Sequence, residues 1–367
     1  MKTGKSLTEL AAELERQNSS KRDFAVRTGA VNMEVVDLDA IADETEKRQD
    51  LQLAMPDSGV DPQRIGKIAH QQIGAYTKIP KPYYDRMRDE APELLAENVN
   101  HWMHGKNEQR MMRTLDGRAR AWLSTRYRPL DNYDLACAVI PALLGAGAEV
   151  CSSEVTESRL YIKATTAQIT AEVKPGDVIQ AGVIISNSEV GQGSLQVAPF
   201  SLRLICTNGM THADYGKRKA HLGKQFVGDV ELATEWMKDD TRRVSDAAFF
   251  GQVRDLVHGW FDGKRFEEVV VSKMREASAN TIEADPVKVV EISQKRFGFS
   301  DHERGGVLNA LVQGADMTQW GLANAITRMS TDVGDYDRAT EIEGIGGQVI
   351  ELPKNQWETI LAEANTN

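Results

Sequence analysis

Residues 158–190 read "SRLYIKATTAQITAEVKPGDVIQAGVIISNSEV", and their patterning decides the fold class. Arg159, Tyr161 and Lys163 alternate with Leu160, Ile162 and Ala164, the period-two signature of a strand. Lys174-Pro175-Gly176-Asp177 is a turn: Pro presets one φ and Gly accepts a positive one. "DVIQAGVIISNSEVG" then runs as a second strand. "AEVCSSEVT" precedes this pair and "SLQVAPFSLRLICTNG" comes after it, with Gly191 and Gly193 marking the intervening turn. Strands therefore dominate residues 148–206, and connections this short favour antiparallel pairing.

Both flanks are helical. On the N-terminal side, Leu7, Leu10, Ala11 and Leu14 fall on one face of a short helix over residues 4–18. The acidic stretch from Asp37 to Gly59, ending in "MPDSG", reads as a loop. Asp61-Pro62 reads as a capped helix start, followed by the stripe Ile65, Ile68, Ala69, Ile73. "KIPKPYY" separates this helix from a second one. Asp116-Gly117 is a hairpin signal, with Met111, Arg113 and Leu115 on one arm and Arg118, Arg120 and Trp122 on the other. "PLDNYDLACAVIPALLGAG" is a helix closed by Gly145 or Gly147. On the C-terminal side, residues 225–260, "ADPVKVVEISQKRFG", "GVLNALVQGADMTQWGLANAITRMS" and the tail are helical. The expected class is α+β, a mainly antiparallel central sheet with flanking helices. Residues 1–59 read as a variable N-terminal extension, 60–224 as an α+β core with basic segments, and 225–367 as a largely helical region packing on that core.

Composition narrows the function. Cys137, Cys151 and Cys206 match neither a disulfide framework nor a zinc pattern. The opening residues lack the apolar core of a secretion signal, and no apolar run reaches bilayer length; a cytoplasmic location is expected. The net charge of −10 argues against a protein that coats DNA everywhere. Positive charge is instead concentrated in two places. Residues 105–128 carry seven basic and two acidic residues, and residues 201–224 carry five and one. Such segments suit a focused groove.

Familiar chemistries fail on inspection. There is no P-loop, and the "GIGG" glycines at 344–347 do not stand between a strand and a helix at dinucleotide spacing. His101 and His104 share a helical spacing but have no carboxylate-rich partner motif, so no metal or cofactor is expected. Cys206 invites comparison with an activated nucleophile, yet a small hydrophobe ending a buried strand explains it without a base. Asn208-Gly209 reads as a turn with Gly209 at positive φ, and Thr207 or Asn208 as a cap for the next element.

Phosphates need cationic donors, and bases need flat surfaces. In the first segment Arg118, Arg120 and Trp122 share a face by period two, with Arg126 and Tyr127 just beyond. In the second, Arg203 stands on its strand, and Lys217, Arg218 and Lys219 lie past the turn. Arg118, Arg120, Arg126 and Arg203 are the expected backbone contacts, Lys217–Lys219 a second contact, and Trp122 and Tyr127 the stacking residues. A solvated charged face is the competing reading.

"YRPLDNYDLACAVIPAL" (127–143), "GDVIQAGVIISNSEVGQGSLQVAPFSLRLICTNGM" (176–210) and "WGLANAITRMS" (320–330) resemble the phage- and plasmid-associated family catalogued as domain of unknown function 932. The family's pattern positions correspond to Tyr127 and Pro129, to Asn187, Ser188 and Gly191, and to Pro199, Arg203, Cys206 and Asn208. The resemblance implies a mobile-element protein in a bacterial or viral setting, without supplying a mechanism. The expected function is nucleic-acid binding, as a single-stranded DNA-binding, annealing or recombination protein, either monomeric or as a homo-oligomer. A non-enzymatic scaffold or inhibitor that meets a protein partner is the first alternative, and an unrecognised hydrolase the second.

Overall fold

The computed structural model describes every residue except 38–48, 57, 207, 213–216, 220–238 and 367. The chain opens with helix α1 (Leu7–Ser20), followed by strands β1 (Arg22–Arg27), β2 (Asn32–Asp37), β3 (Gln49–Met55) and β4 (Val60–Ile65). Helices α2 (Lys67–Thr77), α3 (Lys81–Glu90) and α4 (Pro92–His104) lead to the hairpin β5 (Gln109–Leu115) and β6 (Arg118–Ser124). These six strands form one sheet in the order β1-β5-β6-β4-β3-β2. Every pair is antiparallel except β4–β6. Ile73, Leu95, Val99 and Met103 pack from the helices onto Met33, Leu53, Met112 and Trp122.

The second sheet comes after helix α5 (Asn132–Gly145). Strands β7 (Glu149–Val155), β8 (Leu160–Lys174), β9 (Asp177–Asn187), β10 (Leu195–Arg203) and β11 (Asn208–Thr211) form an antiparallel meander, and β12 (Lys217–Lys219) also pairs with β10. The alternation read at 158–190 holds, and both of its faces are covered. Leu160, Ile162 and Ala164 face Leu135, Val139 and Leu143 of α5 together with Leu10 and Leu14 of α1. On the other face Lys163 has no solvent exposure and pairs with Glu343 at 2.6 Å. Glu343 belongs to the helix Tyr336–Ile350, part of a C-terminal bundle that includes Pro286–Phe297, Asp301–Gly314, Gln319–Met329 and Lys354–Thr366. That bundle closes over the sheet with Trp320, Ile326, Ile342 and Val349 against Ile179 and Ala181.

Several expectations change. Residues 1–59 are no appendage: β1 edges the first sheet through Arg22↔Thr114 to Arg27↔Gln109, and Leu10 is completely buried in the second layer. Residues 49–55 are a strand, not a loop. Asp61-Pro62 lies in β4 rather than at a helix start. The β3–β4 register shifts between Leu53 and Met55, an irregularity that tolerates a residue without an N–H. The helix begins at Lys67 instead, behind Gly66. The hairpin expectation holds, with Asp116 and Gly117 at φ 53° and 72°, the paired left-handed conformation of a type I′ turn. Asn208 caps no helix, because it opens β11. Gly209 is required for a different reason: a Cβ there would lie 2.5 Å from the Phe200 ring. Thr207, Tyr215, His221, Lys224 and the start of the helix expected from 225 fall outside the described residues.

Candidate functional site

The two sheets meet at a buried polar junction. Arg113 on β5 has no exposed side-chain surface. Its Nε donates to Asp23 at 2.8 Å, Nη1 to the Glu189 carbonyl at 2.9 Å and Nη2 to Asp131 at 2.9 Å. Glu189 accepts at one oxygen from the Asn132 N–H and at the other from Arg120 Nη2, both at 2.6 Å. Asn187 donates to the Leu130 carbonyl at 2.7 Å and to Asn132 Oδ1 at 2.8 Å. Tyr127 donates its hydroxyl to the Ser188 carbonyl at 2.8 Å, and Gln72 Nε2 reaches the Val190 carbonyl at 2.7 Å. The loop between β9 and β10, residues 188–194, is thus gripped by the first sheet, α2 and the approach to α5. Burial alone would lower the Arg113 pKa, but its hydrogen bond to Asp23 and the charges of Asp23, Asp131 and Glu189 hold it above the usual value. Burial pushes Tyr127 up to about 12.

This geometry separates the expected contact residues. Trp122 is corrected: at 1% exposure it sits in the first sheet's core and offers no face to a base. The physical reason is a bulge. Arg113 pairs with Ala121 and Thr114 with Ala119, leaving Arg120 as the extra residue. The expected alternation therefore breaks, and Trp122 joins Ala119 under the helices while Ala121 and Leu123 meet Val190. Arg120 is half-buried and committed to Glu189. Tyr127 is held by Ser188 and is also only partly exposed. Arg118 and Arg126 are exposed, and Arg118 has no ion-pair partner among the described residues.

β12 comes to the same place. Its register sets Lys219, Arg218 and Lys217 opposite Leu195, Gln196 and Val197, the first residues of β10 after the 188–194 loop. The second basic segment therefore lies beside the loop that the first segment holds. Arg203 does not join them. It ends β10, about 26 Å further along at the usual strand rise.

There it forms a separate corner. Arg203 Nε and Nη2 grip Asp177 of β9 at 2.6 and 2.7 Å. Trp320 Nε1 donates to the same carboxylate at 2.9 Å, and the guanidinium lies 5.7 Å from the Trp320 ring centroid. Arg203 Nη1 is 3.5 Å from the Cys206 sulfur. A cavity of about 240 Å³ opens beside them, lined in part by Cys206, Asn208, Leu311, Asn324 and Arg328. His212 does not serve Cys206: its Nε2 lies 3.1 Å from the Ser201 hydroxyl, and its Nδ1 lies 3.7 Å from Glu351. Serine, histidine and carboxylate stand in order, but Ser201 and His212 are 2% and 1% exposed, so no substrate reaches the hydroxyl. His104 Nε2 lies 3.1 Å from the Val31 carbonyl and His101 stands edge-on to Trp102. Among the described residues no group of three or more His, Cys, Asp or Glu side chains could hold a metal ion, and no helix is long and apolar enough to cross a membrane.

Sequence reasoning missed Arg113, Asp131 and Glu189 as a unit, since nothing in a strand pattern marks an arginine as wholly buried. It also assigned no role to Asn324 and Arg328, although both lie in the "WGLANAITRMS" stretch.

Two covered sheets joined through a buried ionic junction define an α+β protein, and its distinctive residues cluster at the two ends of β10. The family model Domain of unknown function (DUF932) matches residues 121–344, and the chain belongs to that family. No curated protein and no solved structure matches it.

Proposed function

We propose that this protein binds the phosphate backbone of single-stranded nucleic acid along the seam beside residues 188–194. One observation carries the reading: the β10–β12 register brings Lys217, Arg218 and Lys219 alongside the loop held by Arg120 and Tyr127. A chain of net charge −10 repels polyanions at long range, so binding needs cations focused on one strip. Arg118 and Arg126 extend that strip along and beyond β6, while Arg120 and Arg113 support it from beneath. Tyr127 fixes the loop rather than stacking on a base. The setting fits a DNA-handling protein of a phage or plasmid in a host cytoplasm; annealing and recombination would require strand pairing beyond backbone contact. The test is equilibrium binding of a labelled oligonucleotide to the unaltered protein and to a Lys217→Ala/Arg218→Ala/Lys219→Ala variant. The variant should stay folded and bind more weakly. No binding by the unaltered protein at low salt would favour a protein-interaction role.

A further inference from the structure

The corner at the far end of β10 contains an unmet demand. Asn208 is 3% exposed. Its Nδ2 donates to the Asn324 carbonyl at 3.3 Å, which fixes the amide orientation, because a flipped amide would set two oxygens together. Asn208 Oδ1 is then a buried acceptor with no donor. Leaving such a group unsatisfied costs about 1–3 kcal/mol, and it lines the cavity. Whatever fills the cavity must bring an N–H or O–H to this oxygen.

Arg203 supplies the complementary half. Arg203 and Asn208 are direct Cα partners across β10 and β11, which puts their side chains on one face, with Cβ atoms about 5 Å apart. The guanidinium is locked by Asp177 and backed by Trp320, and its Nη1 end faces Cys206 at the cavity wall. A fixed donor beside a fixed acceptor suits a planar edge carrying an acceptor next to an N–H. That is the Watson–Crick edge of every common nucleobase. Leu311, Ala310 and Ala325 supply apolar wall. At about 240 Å³ the cavity falls below the roughly 300–1,000 Å³ of drug-sized sites, so it suits a base rather than a large cofactor. Arg328 lines it too, with 48% of its side chain exposed, where the phosphate of a nucleotide could reach it.

We propose that the cavity between Arg203, Asn208 and Asn324 is a nucleobase pocket, filled by a free nucleotide or by one base of a bound strand. A free nucleotide would occupy it independently of the seam, whereas occupation by a strand rests on the nucleic-acid reading of that seam.

Cys206 makes the site testable without knowing its biological ligand. In a Cys137→Ser background, which removes an exposed competing thiol, the alkylation rate of Cys206 is measured site by site. The probes are nucleoside monophosphates, the parent nucleosides, inorganic phosphate and a short single-stranded oligonucleotide. A bound base should slow labelling about tenfold when present at ten times its dissociation constant. Protection by monophosphates identifies a free nucleotide, and protection by the oligonucleotide alone identifies a strand. In the Lys217→Ala/Arg218→Ala/Lys219→Ala variant monophosphate protection should persist, which separates this pocket from the seam. Asn208→Leu should abolish protection, with near-ultraviolet circular dichroism as the check on folding; if that variant does not fold, protection in the unaltered chain still decides. Equal protection by inorganic phosphate would reduce the site to an anion pocket. No protection by any probe at millimolar concentration would leave water as the occupant of Asn208 Oδ1. Either result overturns the proposal.

Discussion

The two ends of β10 each present an arginine, and the two arginines are in opposite states. Arg113, beside the loop that precedes β10, has no exposed side-chain surface and spends its donors on Asp23, Asp131 and the Glu189 carbonyl. Arg203, at the other end, is 20% exposed, grips one carboxylate and borders an open cavity with an unpaired amide oxygen beside it. A saturated network fixes geometry, because a partly satisfied one is costly in a low-dielectric interior. An unsaturated one is open to a ligand. The junction thus reads as the joint that sets the sheets, and the corner and the adjoining seam as surfaces that act on other molecules.

Removing Arg113 should disturb this contrast most severely. Arg113→Ala leaves Asp23 and Asp131 without their shared cation, and breaking a buried pair costs about 3–5 kcal/mol. Chemical denaturation should show that loss. A change within experimental error would mean that the joint is held by apolar packing alone. Arg203→Ala should cost less, about 1.5–3 kcal/mol, because its partner Asp177 keeps the Trp320 bond and the site is part-open to water. If Arg203→Ala proved the more damaging, the assignment of joint and ligand corner would have to be exchanged.

Acid probes the same contrast. Burial works to raise the Asp131 pKa, but Arg113 and Lys21 outweigh it and hold the group below its ordinary 3.8. A depressed carboxylate stabilises the fold above the unfolded value, and that contribution is lost as pH falls through the folded one. Stability measured downward from pH 4 should therefore show an acid limb that shrinks in Arg113→Ala. An identical limb in both proteins would mean that Asp131 contributes nothing to it. The smallest effect is expected at Arg118, exposed and without an ion-pair partner among the described residues. Arg118→Ala should change stability by no more than about 0.5 kcal/mol and act on binding only.

How much of the molecule was legible in the sequence depends on the range of the interaction. The β8–β9 hairpin could be read because period-two alternation and a Lys-Pro-Gly-Asp turn are local signals. The same holds for the Asp116-Gly117 hairpin and the Asp285 cap, whose side chain accepts from the Val287 N–H at 2.9 Å. The first sheet was half missed, since β1 to β4 pair with strands distant in sequence and Pro62 imitates a helix start. The exclusion of Trp122 was not readable, because one bulged residue at Arg120 reverses the face of everything after it. At the candidate sites the residue types were visible while their partnerships were not. Nothing local says that Arg113 meets Glu189 across 76 positions, or that Asn208 meets Asn324 across 116.

The proposed function stands or falls on whether the seam beside residues 188–194 reads phosphate charge with cations from two distant segments. The decisive quantity is the salt dependence of single-strand binding, measured by fluorescence anisotropy for the unaltered protein and for Lys217→Ala/Arg218→Ala/Lys219→Ala. The logarithm of the affinity should fall linearly with the logarithm of salt concentration, and loss of three phosphate contacts should make the slope shallower by about 2. Indistinguishable slopes for the two proteins, or no binding at low salt, would contradict the proposal.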